Sequence, residues 1–196
     1  MTWTEDLEKR IKRKNQVLFT KDSELLAQLS CLIAQQNHRT LILWSFDLAD
    51  STVRTMEERY PDDKRLRNAL NLSRLWAKGV VKMSVVKPAI LTAHAMAKEL
   101  TLPEEIAFCH AVGQACSVVH TPRHALGFSI YELTGFVREI GYPDCINYLK
   151  YRVDFYAEKL QFWQKFEADF EGAWAEFLMR ESICLTDCTY QIAIPS

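Results

Sequence analysis

The chain has 196 residues, 48% hydrophobic and 25% charged, an ordinary globular composition with enough length for one sizeable core. With 24 Lys and Arg against 25 Asp and Glu, the net charge of −1 gives no long-range field toward nucleic acid or an anionic membrane. Six glycines and six prolines are too few for an all-β fold rich in tight turns, and no apolar run reaches transmembrane length.

The opening "MTWTEDLEKR" is acidic and polar before it turns basic, unlike a signal peptide, so the expected compartment is the cytoplasm. A first helix is predicted through "WTEDLEKRIKRK", capped by Thr2 or Thr4. Its basic run from Lys9 to Lys14 reads as cations near a helix C-terminus, with contact to RNA or phosphate as the alternative. A second helix follows in "KDSELLAQLSCLIAQQN", capped by Asp22 or Ser23, with apolar residues at 25, 26, 29, 32 and 33. The third is "HRTLILWSFDLADSTVRTMEERY". Pro61 and Asp62 open a fourth, ending at the C-cap Gly79.

Ser84 is predicted to cap a fifth helix, with Pro88 in an early turn. Leu102-Pro103-Glu104-Glu105 opens the sixth, which runs to about Val119. Thr121 and Pro122 have the character of an N-cap and first helical residue for a seventh, "RHALGFSIYELTGFVREIG". Gly141-Tyr142-Pro143-Asp144 ends it and opens a long aromatic helix to about Arg180. That helix places Tyr148, Tyr151, Phe155, Phe162, Phe166, Phe170, Trp174 and Phe177 at mostly three- and four-residue spacings. The stripe reads first as core, with a homodimer face as the alternative. The sequence therefore predicts an all-α, single-domain bundle of seven or eight helices over residues 1–196, with an irregular tail from about 182.

The six cysteines are scattered and read as buried thiols; Cys184 and Cys188 form the only close pair, without the second pair that zinc sites use. Four of the five histidines fall in the centre of the chain. From Ile106 to Pro122 there is no charged residue, as for a helix surrounded by others. His110, Gln114, Ser117 and Thr121 share one face, and His94 sits in the similarly uncharged "PAILTAHAMA". Buried imidazoles and amides need partners, and Asp47 and Arg74 stand in otherwise apolar helical stretches. The candidate buried polar network is therefore Asp47, Arg74, His94, His110, Gln114, His120 and His124. The alternative is a metal site from His94, His120 and His124, which the proline between the last two weakens. A Cys109 or Cys116 nucleophile paired with a histidine is disfavoured by burial of its helix. No other catalytic motif is present and no cofactor is implied.

Four segments carry a family resemblance: "HRTLILWSFDLAD", "ERYPDDKRLRNALNLSRLWAKG", "AILTAHAMAKE" and "AVGQACSVVHTPRHALGFSIY". Over about residues 38–131 the chain resembles a bacterial family of immunity proteins from polymorphic toxin systems. The resemblance implies an all-α, non-enzymatic protein that neutralises a cognate protein toxin by binding it. Against the acidic face common in inhibitors of basic nucleases, the chain is nearly neutral, and a local acidic patch could be formed by residues such as Glu57, Glu58, Asp62 and Asp63.

Overall fold

The structure, a computed structural model, describes residues 2–168 and 172–180. It is all-α, with no strand among the described residues. The helices are α1 (Trp3–Lys12), α2 (Ala27–Ala34, entered through a 3-10 turn at Glu24–Leu26), α3 (His38–Arg59), α4 (Arg65–Ala77), α5 (Met83–Met96), α6 (Pro103–Ser117), α7 (His124–Ile140), α8 (Cys145–Phe166) and α9 (Glu176–Arg180). Cys184, Cys188 and the tail from about 182 lie outside the described residues, as does Phe170.

Local signals explain several helix ends. Thr2 and Glu5 form a capping box at α1, and the Asn37 side chain accepts from the Thr40 N–H at 2.8 Å to open α3. Gly79 takes the left-handed conformation (φ 74°) after α4. The Gly79 and Val80 N–H groups donate back to Trp76 and Leu75, which closes the helix in a Schellman motif.

Four predicted boundaries shift. Pro61 and Asp62 form a turn, and α4 begins three residues after Asp62, at Arg65. α5 begins at Met83, after Lys82, so Ser84 lies inside its first turn and Pro88 is the sixth helical residue. Thr121 and Pro122 belong to the connecting turn, and α7 starts at His124 with no side-chain cap. The aromatic helix stops at Phe166, and the separate α9 follows. Gly172 interrupts the pattern, and the Ala175 N–H donates to the Ala77 carbonyl at 2.7 Å, seating this segment on the end of α4.

α6 is the centre of the bundle, packed against α3, α4, α5 and most extensively α7. The absence of charge from Ile106 onward has this cause: Cys109, Ala111, Val112, Ala115 and Cys116 are fully buried. Small residues let neighbours approach. A Cβ at Gly113 would sit 2.4 Å from the His94 ring, and one at Gly135 2.4 Å from the Phe108 ring. One contiguous core draws residues from α1 through α9; its largest buried member, Trp44, donates from Nε1 to the Tyr156 carbonyl at 2.9 Å.

Candidate functional site

The central histidines form a row along the junction of α5, α6 and α7. The His94 Nδ1 lies 3.0 Å from the His110 Nδ1, so one ring donates and the other accepts. The His110 ring also lies 5.2 Å from the Tyr131 ring. The His124 Nδ1 donates to the Gln114 Oε1 at 2.6 Å, tying the first residue of α7 back to α6. His120, in the turn after α6, lies 5.5 Å from the His124 ring and stacks on Trp76 at 5.9 Å and 25°. The fifth histidine, His38, is buried and bonds through Nε2 to the Val118 carbonyl at 2.6 Å.

Burial lowers the pKa of His94, His110, His120 and His124 below the ordinary imidazole value. Neighbouring imidazoles add to this at His94 and His120. The row is therefore neutral at physiological pH. The His94–His110 pair can take up one proton and keep its hydrogen bond, whereas a second would set two N–H groups against each other.

Asp47 and Arg74 are not part of this row. Asp47 accepts from Lys159 Nζ and Trp163 Nε1, each at 2.9 Å, and so joins α3 to α8. Arg74 donates to Asp50 at 3.2 Å. Asp50 also binds Arg67 at 2.7 Å and Arg54 at 2.8 Å; burial pushes its carboxyl up, but Arg67 and Arg74 together hold it below the usual range. The predicted network thus divides in two: imidazoles between α5, α6 and α7, and ion pairs on α3, α4 and α8. The ion pairs line a cleft of about 510 Å³, whose walls also include Phe46, Trp163 and Trp174. Half of the predicted acidic patch is neutralised, since Glu57 pairs with Arg67 and Asp63 with Arg65.

A further polar centre was not anticipated. Glu132, fully buried on α7, accepts from Thr52 at 2.6 Å, from Arg152 Nε and Nη2 at 2.9 Å each, and from the Tyr156 hydroxyl. A readable signal existed, because Glu132 is the one charged residue between His124 and Val137.

Nucleophile and metal chemistry find little support here. Cys109 and Cys116 are fully buried, and burial pushes both thiols up to about 12, far from the thiolate that a nucleophile needs. Ser129 is buried as well. Among the described residues, no group of three or more His, Cys, Asp or Glu side chains is arranged to hold a metal ion. His94, His120 and His124 do not form one.

The family model described as "Imm-5 like putative immunity protein" matches residues 31–155. The chain belongs to this family. The match to the Imm-5 like family spans α3 to α7 and the first half of α8, beyond both ends of the 38–131 resemblance. It contains the whole histidine row and the Asp50 ion network; Trp163 and Trp174 follow it. No curated protein and no solved structure matches the chain. No helix among the described residues is long and apolar enough to cross a membrane.

Proposed function

We propose that the protein neutralises a cognate bacterial toxin by binding it in the cytoplasm, with no chemistry of its own. Membership of the Imm-5 like family carries this reading. The face we assign to the toxin is the cleft between α3, α4 and α8. Its walls combine Trp163 and Trp174 with the guanidinium groups of Arg54 and Arg74, the residue types that dominate binding energy at protein interfaces. The test is co-expression with the toxin-like product of a neighbouring gene, in a host that carries neither. Protection of growth and co-elution of the two proteins are expected. Arg54→Glu and Trp174→Ala should abolish both while leaving the helical signal unchanged. If no neighbouring product is toxic, or toxicity persists with the two proteins together, the reading fails.

A second reading has one observation behind it. Tyr151, Phe162 and Phe166 on α8 are exposed at 64%, 46% and 37%, a stripe that a second copy of the chain could cover. Sedimentation at micromolar concentration separates the two, since the dimer predicts a mass that Phe162→Glu halves.

A further inference from the structure

A second pocket lies where the segment after α1 meets the first half of α6 and α7. It has a volume of about 340 Å³, within the range of small-molecule sites. Lys14, Arg138, His110 and Tyr131 line it, with Val17 and Ile106 among its apolar walls. No carboxylate lines it, although acidic residues outnumber basic ones in the chain by 25 to 24. Of the Arg138 guanidinium, Nη2 donates to the Asn15 carbonyl at 2.6 Å, which fixes its position beside the pocket. His110 presents a neutral ring whose Nδ1 is held by His94.

The placement of Lys14 is the second observation. α1 closes in a Schellman motif: Lys14 N–H donates to the Ile11 carbonyl at 2.9 Å and Asn15 N–H to the Arg10 carbonyl at 3.1 Å. In α4 the same motif has Gly79 at its left-handed position. In α1 that position holds Lys14, at φ 56°, the one non-glycine residue with a positive φ among the described residues. Glycine suits that conformation best, and a lysine there sets a cation at the pocket at a local backbone cost.

We infer that this pocket binds a small organic anion, a carboxylate or phosphate on an apolar body. Lys14 and Arg138 meet the charge, His110 and Tyr131 supply further polar contacts, and Val17 and Ile106 cover the apolar part. Part of the pocket comes from residues before the family-matched segment, and the inference is independent of the toxin-binding reading.

The probes are benzoate and phenyl phosphate, with benzyl alcohol as the neutral and benzylamine as the cationic counterpart. Each is titrated at millimolar concentration into the full chain by calorimetry, and the histidine ring resonances are followed by NMR. Either anion should bind and shift the His110 signals, while the neutral and cationic compounds do not. Lys14→Gln, an exposed change that leaves the core intact, and Arg138→Gln should each weaken binding by about tenfold or more, as for loss of a charged hydrogen bond. Lys165→Gln, on α8, should leave it unchanged. Equal binding of benzyl alcohol, an unchanged affinity in Lys14→Gln, or the absence of any anion-induced shift at His110 overturns the assignment.

Discussion

Gly113→Ala tests the packing of the histidine row directly. The new Cβ would sit 2.4 Å from both Cε1 and Nε2 of His94, so the ring must retreat by about 1 Å to reach ordinary contact. A shift of that size carries His94 Nδ1 away from His110, now 3.0 Å distant, and breaks the hydrogen bond. Overpacking costs about 1–3 kcal/mol and the lost bond about 1 kcal/mol, while alanine regains up to about 1 kcal/mol of helix propensity over glycine. The net loss is about 1–3 kcal/mol, or roughly 2–12 °C in Tm for a domain of this size. The decisive measurement is a double-mutant cycle by urea denaturation. In a His94→Ala background the obstructing ring is gone, so Gly113→Ala should become neutral or stabilising. An equal cost in both backgrounds would refute the assigned contact.

Glu132→Gln leaves the Arg152 guanidinium, 13% exposed, without its counter-charge and should cost about 3–5 kcal/mol, part of which Arg152→Met restores in the double variant; a loss under about 1 kcal/mol in chemical denaturation contradicts this. Acid unfolding should show two steps. Because the four row histidines have lowered folded pKa values, the unfolded chain binds more protons, so their stabilisation is complete above about pH 6.5 and is lost as pH falls below it. Asp50, Glu57 and Asp63 also have lowered values, and their share is lost only below about pH 4.5. Melts from pH 8 to 3 check this, and a profile flat between about 6.5 and 5 counts against a neutral row. Thiol labelling of the native protein with site-resolved mass spectrometry should leave Cys109 and Cys116 unmodified, their thiols being buried and raised to about 12.

How far the fold was legible follows from where its signals lie. Caps and apolar periodicity are local, and they located α1 to α7 and the start of α8 within a few residues. The overextension of the last helix also has a local cause. Trp174 and Phe177 keep helical spacing with the aromatics of α8, but Trp174 lines the cleft and Phe177 lies 6.0 Å from Trp76 on α4. Periodicity cannot distinguish one helix from two segments that pack on the same body. The imidazole row was legible as a cluster because His94, His110 and His120 stand in stretches without other charges, Ile106 to Pro122 above all. Its pairing was not, because charge partners are chosen in three dimensions: Asp47 meets Lys159, 112 positions away, rather than a histidine. The glycines at 113 and 127 carry the remaining information, each marking where a side chain from a neighbouring helix comes close, His94 at the first and Gln114 at the second.

The distribution of charge bears on how a toxin would be recognised. Most of the charges on α3 and α4 are satisfied within the chain: Glu57 by Arg67, Asp63 by Arg65, and Asp50 by Arg54, Arg67 and Arg74. Such pairs cancel beyond a Debye length of about 8 Å, and with a net charge of −1 little field remains to steer a partner. Recognition at the cleft then depends on burying Trp163 and Trp174 and on short-range geometry at Arg54 and Arg74, which govern dissociation more than encounter. Association with the cognate toxin should therefore be nearly independent of salt. Stopped-flow measurement at low and at physiological ionic strength should give rates within about threefold of each other, against the tenfold or greater change of a steered complex. A steep salt dependence would place the contact on a charged surface other than this cleft.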